Sequence, residues 1–254
     1  MCTLIALHRC VPGAPLVVAA NRDEYHERPA EGPALRETPA GLVAAPRDLR
    51  AGGTWLGLNR HGTFAAITNR PTACLDPTRR SRGLLVMDAL AWAKASDAAE
   101  WMSGLQSGLY NPFNLLVADA EHACVAVYEE WVRVERLEPG VHVIGNADPD
   151  DRAVPKIDRL LARVEQAARG EPERLLDELA AVCAGHDGDD GPLADTCIHL
   201  GSERGGYGTR SSTLLWLGEP GGRSEWRFAA GAPCRTEYED CSKLLHGLGL
   251  GARS

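Results

Sequence analysis

Short apolar runs recur along the chain in pairs, and a few turn-forming residues separate the two members of each pair. Three pairs stand out: residues 3–7 with 15–20, 54–58 with 63–68, and 113–118 with 123–128. Runs of this length that are apolar throughout are typical of strands buried on both faces. Because only a turn fits between the members of a pair, each pair predicts a β-hairpin and hence antiparallel pairing.

Helical patterns lie in blocks between these strands. They cover residues 82–104 (two helices meeting near Ser96-Asp97), 153–168 and 172–183, and further strands are predicted at 141–145, 212–217 and 225–230. This order lacks the regular strand–helix alternation of a parallel sheet. We therefore predict one domain over residues 1–254, of the α+β class. The expected architecture is a four-layer αββα sandwich, in which two antiparallel sheets face each other between outer helices.

Composition argues against several classes of function. A formal net charge of −8 disfavours sequence-independent binding of DNA or RNA, which requires a basic face. No apolar run reaches the roughly 20 residues of a membrane span, and the first residues lack the basic lead-in of a signal peptide. We expect a cytoplasmic protein whose partner is a small molecule, and the sequence leaves the oligomeric state open.

The eight cysteines include no paired zinc spacing. The nearest approach is the set Cys183, His186, Cys197 and His199, but Cys-x2-His followed by Cys-x-His is not a standard structural spacing. In a reducing compartment most of the cysteines should be thiols that pack as small apolar side chains. We therefore expect no bound metal.

Cys2 is the residue with the most chemical potential. Methionine aminopeptidases remove Met1 when the second residue is small, which would leave Cys2 at the mature N-terminus. A terminal cysteine combines a nucleophilic thiol with an α-amine whose ordinary pKa, about 7.7–8.0, suits proton transfer near neutral pH. A Met-Cys start alone is uninformative, because any protein can begin in this way.

The first hairpin brings polar residues beside Cys2. If its turn centres on Pro12-Gly13, paired residue numbers add up to about 25, which places Cys2 opposite Asp23 within two residues either way. Asp23 would then bind the α-ammonium group, whereas Arg22 would point to the opposite face because side chains alternate along a strand. The alternative is a solvated strand end in which residues 21–24 (NRDE) have no chemical role.

Two further features could belong to a binding site. Trp55 lies in the stretch AGGTWLGLN, and the sequence favours a pocket and a core position equally. Four arginines cluster in a proline-containing loop that could clamp a carboxylate, a phosphate or a haem propionate, although such a loop is more often simply solvated; they are Arg70, Arg79, Arg80 and Arg82. The residues predicted to contact substrate are Asn21, Arg22, Glu24 and Trp55.

Motifs spread over nearly the whole chain resemble those of a known family. They are Met1-Cys2-Thr3, Asn21-Arg22-Asp23-Glu24, residues 47–59 (RDLRAGGTWLGLN), Thr68-Asn69-Arg70, Asn111-Pro112-Phe113-Asn114 and Gly208-Thr209-Arg210-Ser211-Ser212. Together they are similar to the NRDE family, also called the transport-and-Golgi-organisation-2 family. That family in turn resembles N-terminal-nucleophile hydrolases of the penicillin V acylase and bile salt hydrolase type, which implies the αββα sandwich.

The resemblance to these hydrolases also implies roles for individual residues. Cys2 matches the nucleophile, Asp23 the aspartate that holds its α-amine, Asn69 a backbone N–H donor of the oxyanion hole, Asn146 the side chain that completes this hole, and Arg210 the arginine that steadies the nucleophile. One position departs from the pattern. These hydrolases have an arginine three residues before the aspartate, where this chain has Ala20.

Two functions follow from the resemblance. One is hydrolysis of a non-peptide amide or acyl bond of a small molecule by Cys2, without a cofactor. The other is non-enzymatic binding or trafficking of haem or a lipid in the same pocket, with His8, His26 and Cys2 as haem ligands by location. A fold alone does not decide between such functions.

Overall fold

The computed structural model describes residues 2–188, 191–201 and 206–251, so Met1 lies outside the described residues. In chain order the strands are β1 (Thr3–Val11), β2 (Ala14–Tyr25), β3 (Ala30–Thr38), β4 (Gly41–Asp48), β5 (Leu56–Asn59), β6 (Phe64–Asn69), β7 (Phe113–Ala118), β8 (Ala123–Tyr128), β9 (Val132–Leu137), β10 (Gly140–Ile144), β11 (Tyr207–Leu217), β12 (Glu225–Ala229) and β13 (Glu239–Asp240). The helices are α1 (Arg82–Ala89), α2 (Ala95–Ser103), α3 (Pro155–Ala167), α4 (Leu175–Cys183) and α5 (Lys243–Leu248). Within the described ranges, no helix combines the length and the apolar character needed to cross a bilayer.

The strands form two antiparallel sheets that face each other. The first has the spatial order β10-β1-β2-β11-β12-β13, and the second contains β3 to β9 in sequence order. Side chains of both sheets, among them Leu4, Leu16, Phe64 and Leu116, share one apolar core between them. Helices α3 and α4 pack on the outer face of the first sheet, and α1 and α2 pack on the second. The predicted four-layer αββα sandwich is confirmed.

All three predicted hairpins are present, as β1–β2, β5–β6 and β7–β8. The apolar pattern misses β3, β4, β9, β13 and α5. Two of these, β3 and β9, are the edge strands of the second sheet, and charged residues interrupt the apolar residues in their sequences AEGPALRET and VRVERL. An edge strand tolerates polar residues and proline because one side of its backbone is unpaired, so it gives a weak apolar signal.

The predicted junction between the first two helices lies slightly too far along the chain. Helix α1 ends at Ala89 and α2 begins at Ala95, whereas the sequence places the junction near Ser96-Asp97. The backbone N–H of Ala95 donates to Asp119 Oδ2 at 2.7 Å. The Asp119 carboxylate, between β7 and β8, therefore accepts a hydrogen bond from the first free N–H group of α2. Because this contact joins distant parts of the chain, no local sequence pattern predicts it.

The pairing of β1 with β2 decides which way Cys2 points. Near the turn Val11 pairs with Ala14, but further along Thr3 pairs with Asn21, because the register shifts between His8 and Val11. Arg9 in this interval has a left-handed φ of 52°, as expected for the extra residue of a β-bulge. Continued by one residue, the register puts Cys2 opposite Arg22.

The predicted position of Cys2, opposite Asp23 within two residues either way, is confirmed within that range, but the residue opposite Cys2 is Arg22. A shift of one residue exchanges the two faces of a strand. Cys2 shares the face of Leu4, and Arg22 shares the face of Ala20, and both of these apolar side chains lie in the core between the sheets. Asp23 lies on the other face of β2, with the helices α3 and α4.

Candidate active site

Cys2 lies at the junction of two cavities. The first, which we call the polar cavity, has a volume of about 450 Å³, and charged and amide side chains line much of it, among them Arg22, Glu24, Asp48, Asn69, Arg79 and Arg82. The second, the apolar cavity, has a volume of about 380 Å³ and is lined mainly by Pro71, Val143, Val154, Ile157, Leu160 and Leu193. Cys2 lines both cavities, and volumes of this size suit a small organic ligand.

Asp23 is a buried carboxyl group with one unsatisfied oxygen. It is 3% exposed, and its Oδ1 accepts a hydrogen bond from Thr209 Oγ1 at 2.6 Å. Its Oδ2 is buried and has no hydrogen-bond partner among the described residues. Burial raises the pKa of Asp23 to about 6, and the nearby Lys156 ammonium opposes this rise. A buried acceptor without a donor is costly, which makes this oxygen a favourable position for a cation such as an α-ammonium group.

The Cys2 thiol is held in its neutral form. Burial raises its pKa above the ordinary value, and the Asp23 carboxylate adds to this rise, while the Arg22 guanidinium opposes it. The S–H group donates to the main-chain oxygen of Asp23, with Sγ 3.9 Å from that oxygen. Because a neutral thiol is a weak nucleophile, any reaction at this sulfur would require a base that removes the thiol proton.

Arg22 is the cation on the Cys2 side of β2. Its guanidinium is buried, lies 4.2 Å from the centre of the Trp55 ring, and donates to Asp48 Oδ2 at 2.9 Å. Arg28 donates to the same carboxylate oxygen at 2.6 Å. Although burial raises the pKa of Asp48, the hydrogen bonds from Arg28 and from the backbone N–H of Ala51 hold this pKa below its ordinary value. The Arg22 guanidinium is thus fixed by an ion pair and by an aromatic face.

The position of Arg22 is relevant to Ala20, the residue that stands where the related hydrolases have an arginine. Ala20 lies in the apolar core between the sheets, so the arginine that the resemblance implies at this position is replaced by a core side chain. Arg22, two residues later, shares its face and lines the polar cavity. The sequence correctly places Arg22 on the face away from Asp23. It does not show that the Cys2 side chain lies on the Arg22 face as well.

The two predicted oxyanion-hole residues are in direct contact. Asn146 donates from Nδ2 to the main-chain oxygen of Asn69, and the two residues line the apolar and the polar cavity, respectively. Thr68 Oγ1 donates to the Gly145 oxygen at 2.6 Å, and Asn114 Nδ2 donates to the Ala147 oxygen at 2.8 Å. Side chains from two of the recognised motifs therefore hold the backbone on both sides of Asn146.

Asn21 and Arg210 lie outside both cavities. The Asn21 amide donates to the main-chain oxygens of Cys183 and Thr196, at 2.8 and 2.9 Å. Because both N–H groups are occupied on the helix side of the sheet, Asn21 cross-links the fold there, and this corrects its predicted contact with substrate. Arg210 is the extra residue where the β2–β11 register shifts, and its buried Nε has no partner among the described residues. Its role at the nucleophile stays a prediction.

Of the four arginines in the proline-containing loop, two are held by carboxylates and two line the polar cavity. Arg70 is held by the carboxylates of Glu129 and Asp148, both at 2.8 Å, and Arg80 is held by Asp88. Arg79 and Arg82 instead line the polar cavity. Arg82 donates to the Pro112 oxygen at 2.9 Å and makes no ion pair with any described residue.

Sequence reasoning misses two charged residues of the site. Asp48 belongs to the recognised stretch 47–59, but its ion pairs with Arg22 and Arg28 depend on tertiary packing. Lys156 lines the apolar cavity and donates to the Asp195 oxygen at 2.7 Å. Burial lowers the pKa of Lys156, and the Asp23 carboxylate opposes this change. A single lysine at the start of a helix gives no sequence signal that could have identified it.

Several solved structures share this architecture. The penicillin V acylase of Agrobacterium tumefaciens matches with a TM-score of 0.59 and 11% identity, covering 96% of this chain and 87% of that chain. The N-acylethanolamine-hydrolyzing acid amidase ortholog of Caenorhabditis elegans matches with a TM-score of 0.56 and 14% identity, covering 86% and 94%. A mutant of the conjugated bile acid hydrolase of Clostridium perfringens matches with a TM-score of 0.53 and 13% identity, covering 96% and 93%. At such identities the similarity establishes the fold alone, and this is the N-terminal-nucleophile hydrolase fold.

Sequence comparison defines the family more closely. Residues 1–225 match the family model of Transport and Golgi organisation 2. The Bos taurus Transport and Golgi organization protein 2 homolog is 31% identical over 242 residues, which cover 81% of this chain and 83% of the relative. The Homo sapiens homolog is 37% identical over 112 residues, covering 42% and 40%. The chain belongs to the Transport and Golgi organisation 2 family, as its motifs predict.

Proposed function

We propose that this protein is an N-terminal-cysteine hydrolase that cleaves the amide bond of a small amphipathic N-acyl compound. One observation carries the proposal: Cys2 lies where a polar and an apolar cavity meet, beside a buried carboxylate with a free oxygen. A reacting group at such a junction can contact a bond whose two sides differ in polarity. The three structural neighbours are named as an N-acylethanolamine-hydrolyzing acid amidase, a penicillin V acylase and a conjugated bile acid hydrolase, and these names support the same class of reaction.

The chemistry begins with removal of Met1, which frees the α-amine of Cys2. Asp23 Oδ2 holds this group while the neutral amine takes the thiol proton, and the thiolate sulfur bonds to the carbonyl carbon. Asn146 has a second N–H group without a described partner, and it donates to the oxygen on which negative charge develops. The α-ammonium then returns the proton to the leaving amine nitrogen, and water hydrolyses the acyl-thioester.

The lining of the cavities suggests how a substrate lies. The acyl chain occupies the apolar cavity, where Ile157 and Leu160 of α3 offer aliphatic contact. The amine portion occupies the polar cavity, where the cationic charges of Arg22 and Arg28 are already paired with the carboxylates of Asp48 and Glu24. Arg82 lacks a carboxylate partner in the described structure, so it favours an amine portion that carries an anionic group.

A panel of N-acyl glycines and N-acyl ethanolamines of increasing chain length tests this proposal. Each pair of added methylene groups should raise kcat/KM roughly tenfold until the cavity is full, since each buried CH₂ contributes about 0.8 kcal/mol. Arg82→Gln should remove the preference for the glycine compounds without changing the dependence on chain length. Intact mass spectrometry should show Met1 absent and an acyl adduct on the chain. Retained Met1, or a rate independent of chain length, would contradict the proposal.

Asp23→Asn separates the chemical role of this carboxyl group from a structural role. Burial raises its folded-state pKa to about 6 from an ordinary 3.8, so its stabilising contribution is present below pH 3.8 and is lost as pH rises through 6. The asparagine variant avoids this cost at neutral pH, so its thermal midpoint at pH 7 should equal or exceed that of the wild type. Its kcat/KM should fall about 100-fold, because the α-amine loses its anchor.

The pH profile gives an independent readout of Asp23. Wild-type kcat/KM should rise as pH increases through about 6, where the carboxyl group ionises, and again near about pH 8, where the α-amine loses its proton, and the lower limb should be absent in the variant. Asp97→Asn, which changes an exposed aspartate, serves as the matched control and should leave both the profile and the rate unchanged. A destabilised Asp23→Asn protein with normal turnover would show that Asp23 is structural.

The alternative function is binding of haem or a lipid without chemistry. The aliphatic lining of the apolar cavity supports a lipid ligand. The described histidines proposed as haem ligands lie elsewhere: His8 is buried with Nε2 3.2 Å from the Asp119 oxygen, and His26 is exposed. Cys2 is the remaining predicted ligand that lines a cavity. Haem titration should therefore produce a Soret shift that Cys2→Ala abolishes if haem is the ligand.

A further inference from the structure

Two histidines and two cysteines from separate parts of the chain meet on the helix side of the first sheet. They are His186, Cys197, His199 and Cys234, and their potential ligand atoms all lie within 4.8 Å of one another. His186 follows α4, Cys197 and His199 precede β11, and Cys234 follows β12. None of these residues lines the polar or the apolar cavity, so the cluster is separate from the candidate active site.

The distances within this cluster match those of a tetrahedral metal site. Cys197 Sγ lies 3.5 Å from Cys234 Sγ and 3.6 Å from His199 Nε2, and His199 Nε2 lies 3.1 Å from Cys234 Sγ. In a tetrahedral zinc site with Zn–S near 2.3 Å and Zn–N near 2.0 Å, two sulfurs lie about 3.8 Å apart and a sulfur and a nitrogen about 3.5 Å apart. The His186 ring centre is 5.2 Å from that of His199, close enough for a fourth ligand.

We propose that His186, Cys197, His199 and Cys234 form a structural zinc site. Two thiolates and two imidazoles are a common tetrahedral zinc ligand set, and four protein ligands leave no open position for substrate. His186 Nδ1 also lies 3.8 Å from Asp195 Oδ2, and a carboxylate is a frequent partner that orients a metal-bound imidazole. The proposed site therefore binds Zn²⁺ with four protein ligands, has no open coordination position, and is not catalytic.

The sequence could not have identified this ligand set. Spacing includes Cys183 among the possible ligands, but this residue packs in the apolar core beneath α3 and α4 and is not one of the cluster residues. The fourth ligand is Cys234, which lies on the far side of β11 and β12 along the chain. The expectation of no metal rested on spacing alone, and the fold supplies a ligand that no local motif includes.

The proposed zinc site would hold the segment that supports Asp23. The Cys197 N–H donates to the Gly185 oxygen at 3.0 Å, and the Ile198 N–H donates to Thr209 Oγ1 at 2.9 Å. Thr209 Oγ1 in turn donates to Asp23 Oδ1. Residues 184–188 and 191–201 contain no helix or extended strand, and long irregular segments inside a compact domain are uncommon. A bound metal ion would hold such a segment in place.

A disulfide between Cys197 and Cys234 is the competing explanation. Their sulfurs are 3.5 Å apart, compared with about 2.05 Å in a disulfide bond, and both cysteines are free. A disulfide would also leave the approach of His186 and His199 unexplained. The two possibilities predict different masses and different metal contents, so one experiment distinguishes them.

Metal analysis of the full chain, expressed with added zinc and purified under reducing conditions without chelator, tests the proposal. We expect about one zinc ion per chain, and replacement by Co²⁺ should give the visible absorption bands of a tetrahedral site with thiolate ligands. Cys234→Ser and His199→Ala should lose most of the metal. Cys74→Ser, which changes an exposed cysteine outside the cluster, is the matched control and should retain it.

Chelation provides a second measurement that does not depend on a folded variant. Removing zinc from the wild type should lower its thermal midpoint, and adding Zn²⁺ back should restore it, because metal bound only to the folded state stabilises that state. Wild-type protein without bound zinc that also fails to bind Co²⁺ would overturn the proposal. A chain lighter by the two hydrogens of a Cys197–Cys234 disulfide, or equal loss of metal in Cys74→Ser, would overturn it as well.

Discussion

Replacing Cys2 with alanine is expected to lower kcat/KM for the preferred N-acyl compound by at least about a thousandfold. The substitution removes the sulfur that forms the acyl bond, and no other described nucleophile lines both cavities. The thermal unfolding midpoint should change little, because Cys2 is half-buried, lies outside β1, and contributes one weak S–H hydrogen bond. Steady-state kinetics and thermal melts of the two proteins provide the comparison.

The control for Cys2 is a second thiol. Cys74 is exposed and lies outside both cavities, so Cys74→Ala should retain full turnover and identify any general effect of losing a thiol. Cys2→Ser keeps a nucleophile of similar size but with a much less acidic hydroxyl, and its activity should fall between those of wild type and Cys2→Ala. Turnover that survives in Cys2→Ala would remove the chemical basis of the proposed function.

Replacing Asp48 with alanine is expected to lower the free energy of unfolding by about 3–5 kcal/mol. Asp48 is the acceptor for the buried Arg22 guanidinium and for Arg28, and it also accepts from the backbone N–H groups of Arg50 and Ala51. Without it, Arg22 remains buried against Trp55 with a charge that has lost its ion-pair partner. Chemical denaturation at neutral pH measures the loss.

An exposed ion pair provides the matched control for Asp48. Glu31→Ala breaks the pair with Arg36, whose nitrogen and oxygen atoms are 3.1 Å apart, and it should cost less than about 1 kcal/mol because solvent screens the charges. The double substitution Arg22→Met with Asp48→Ala removes both buried charges and should recover much of the stability. A double variant that is no more stable than Asp48→Ala would show that the unpaired guanidinium is not the source of the loss.

The sequence predicts the architecture well because the hairpins are local. Each pair of apolar strands lies within a short stretch of chain, so the pattern of residues 3–20 or 113–128 contains the whole pairing. The apolar pattern does not predict the edge strands β3 and β9, because their polar side chains face solvent on at least one side. Family motifs add the αββα layering, and the structure confirms it.

The candidate site is predictable only in part. The hairpin correctly predicts that Cys2 lies within two residues of the position opposite Asp23, and Asn69 and Asn146, both identified through the resemblance, are in direct contact. The face on which Cys2 lies could not be predicted from the sequence. The extra residue of the bulge is Arg9, and neither glycine nor proline is present there to indicate a bulge. The contacts of Asp48 and Cys234 join residues far apart in sequence, and such contacts leave no trace in periodicity or spacing.

Because of the bulge near Arg9, the number of residues in the first strand determines the face on which the Cys2 side chain lies. When a strand is held by a hairpin, one residue added or deleted near the hairpin moves every later side chain of that strand to the opposite face of the sheet. Arg9 is seven positions from Cys2, or about 23 Å along an extended strand. The direction of the Cys2 side chain therefore depends on the register at the opposite end of the strand, far from the residues that line the two cavities.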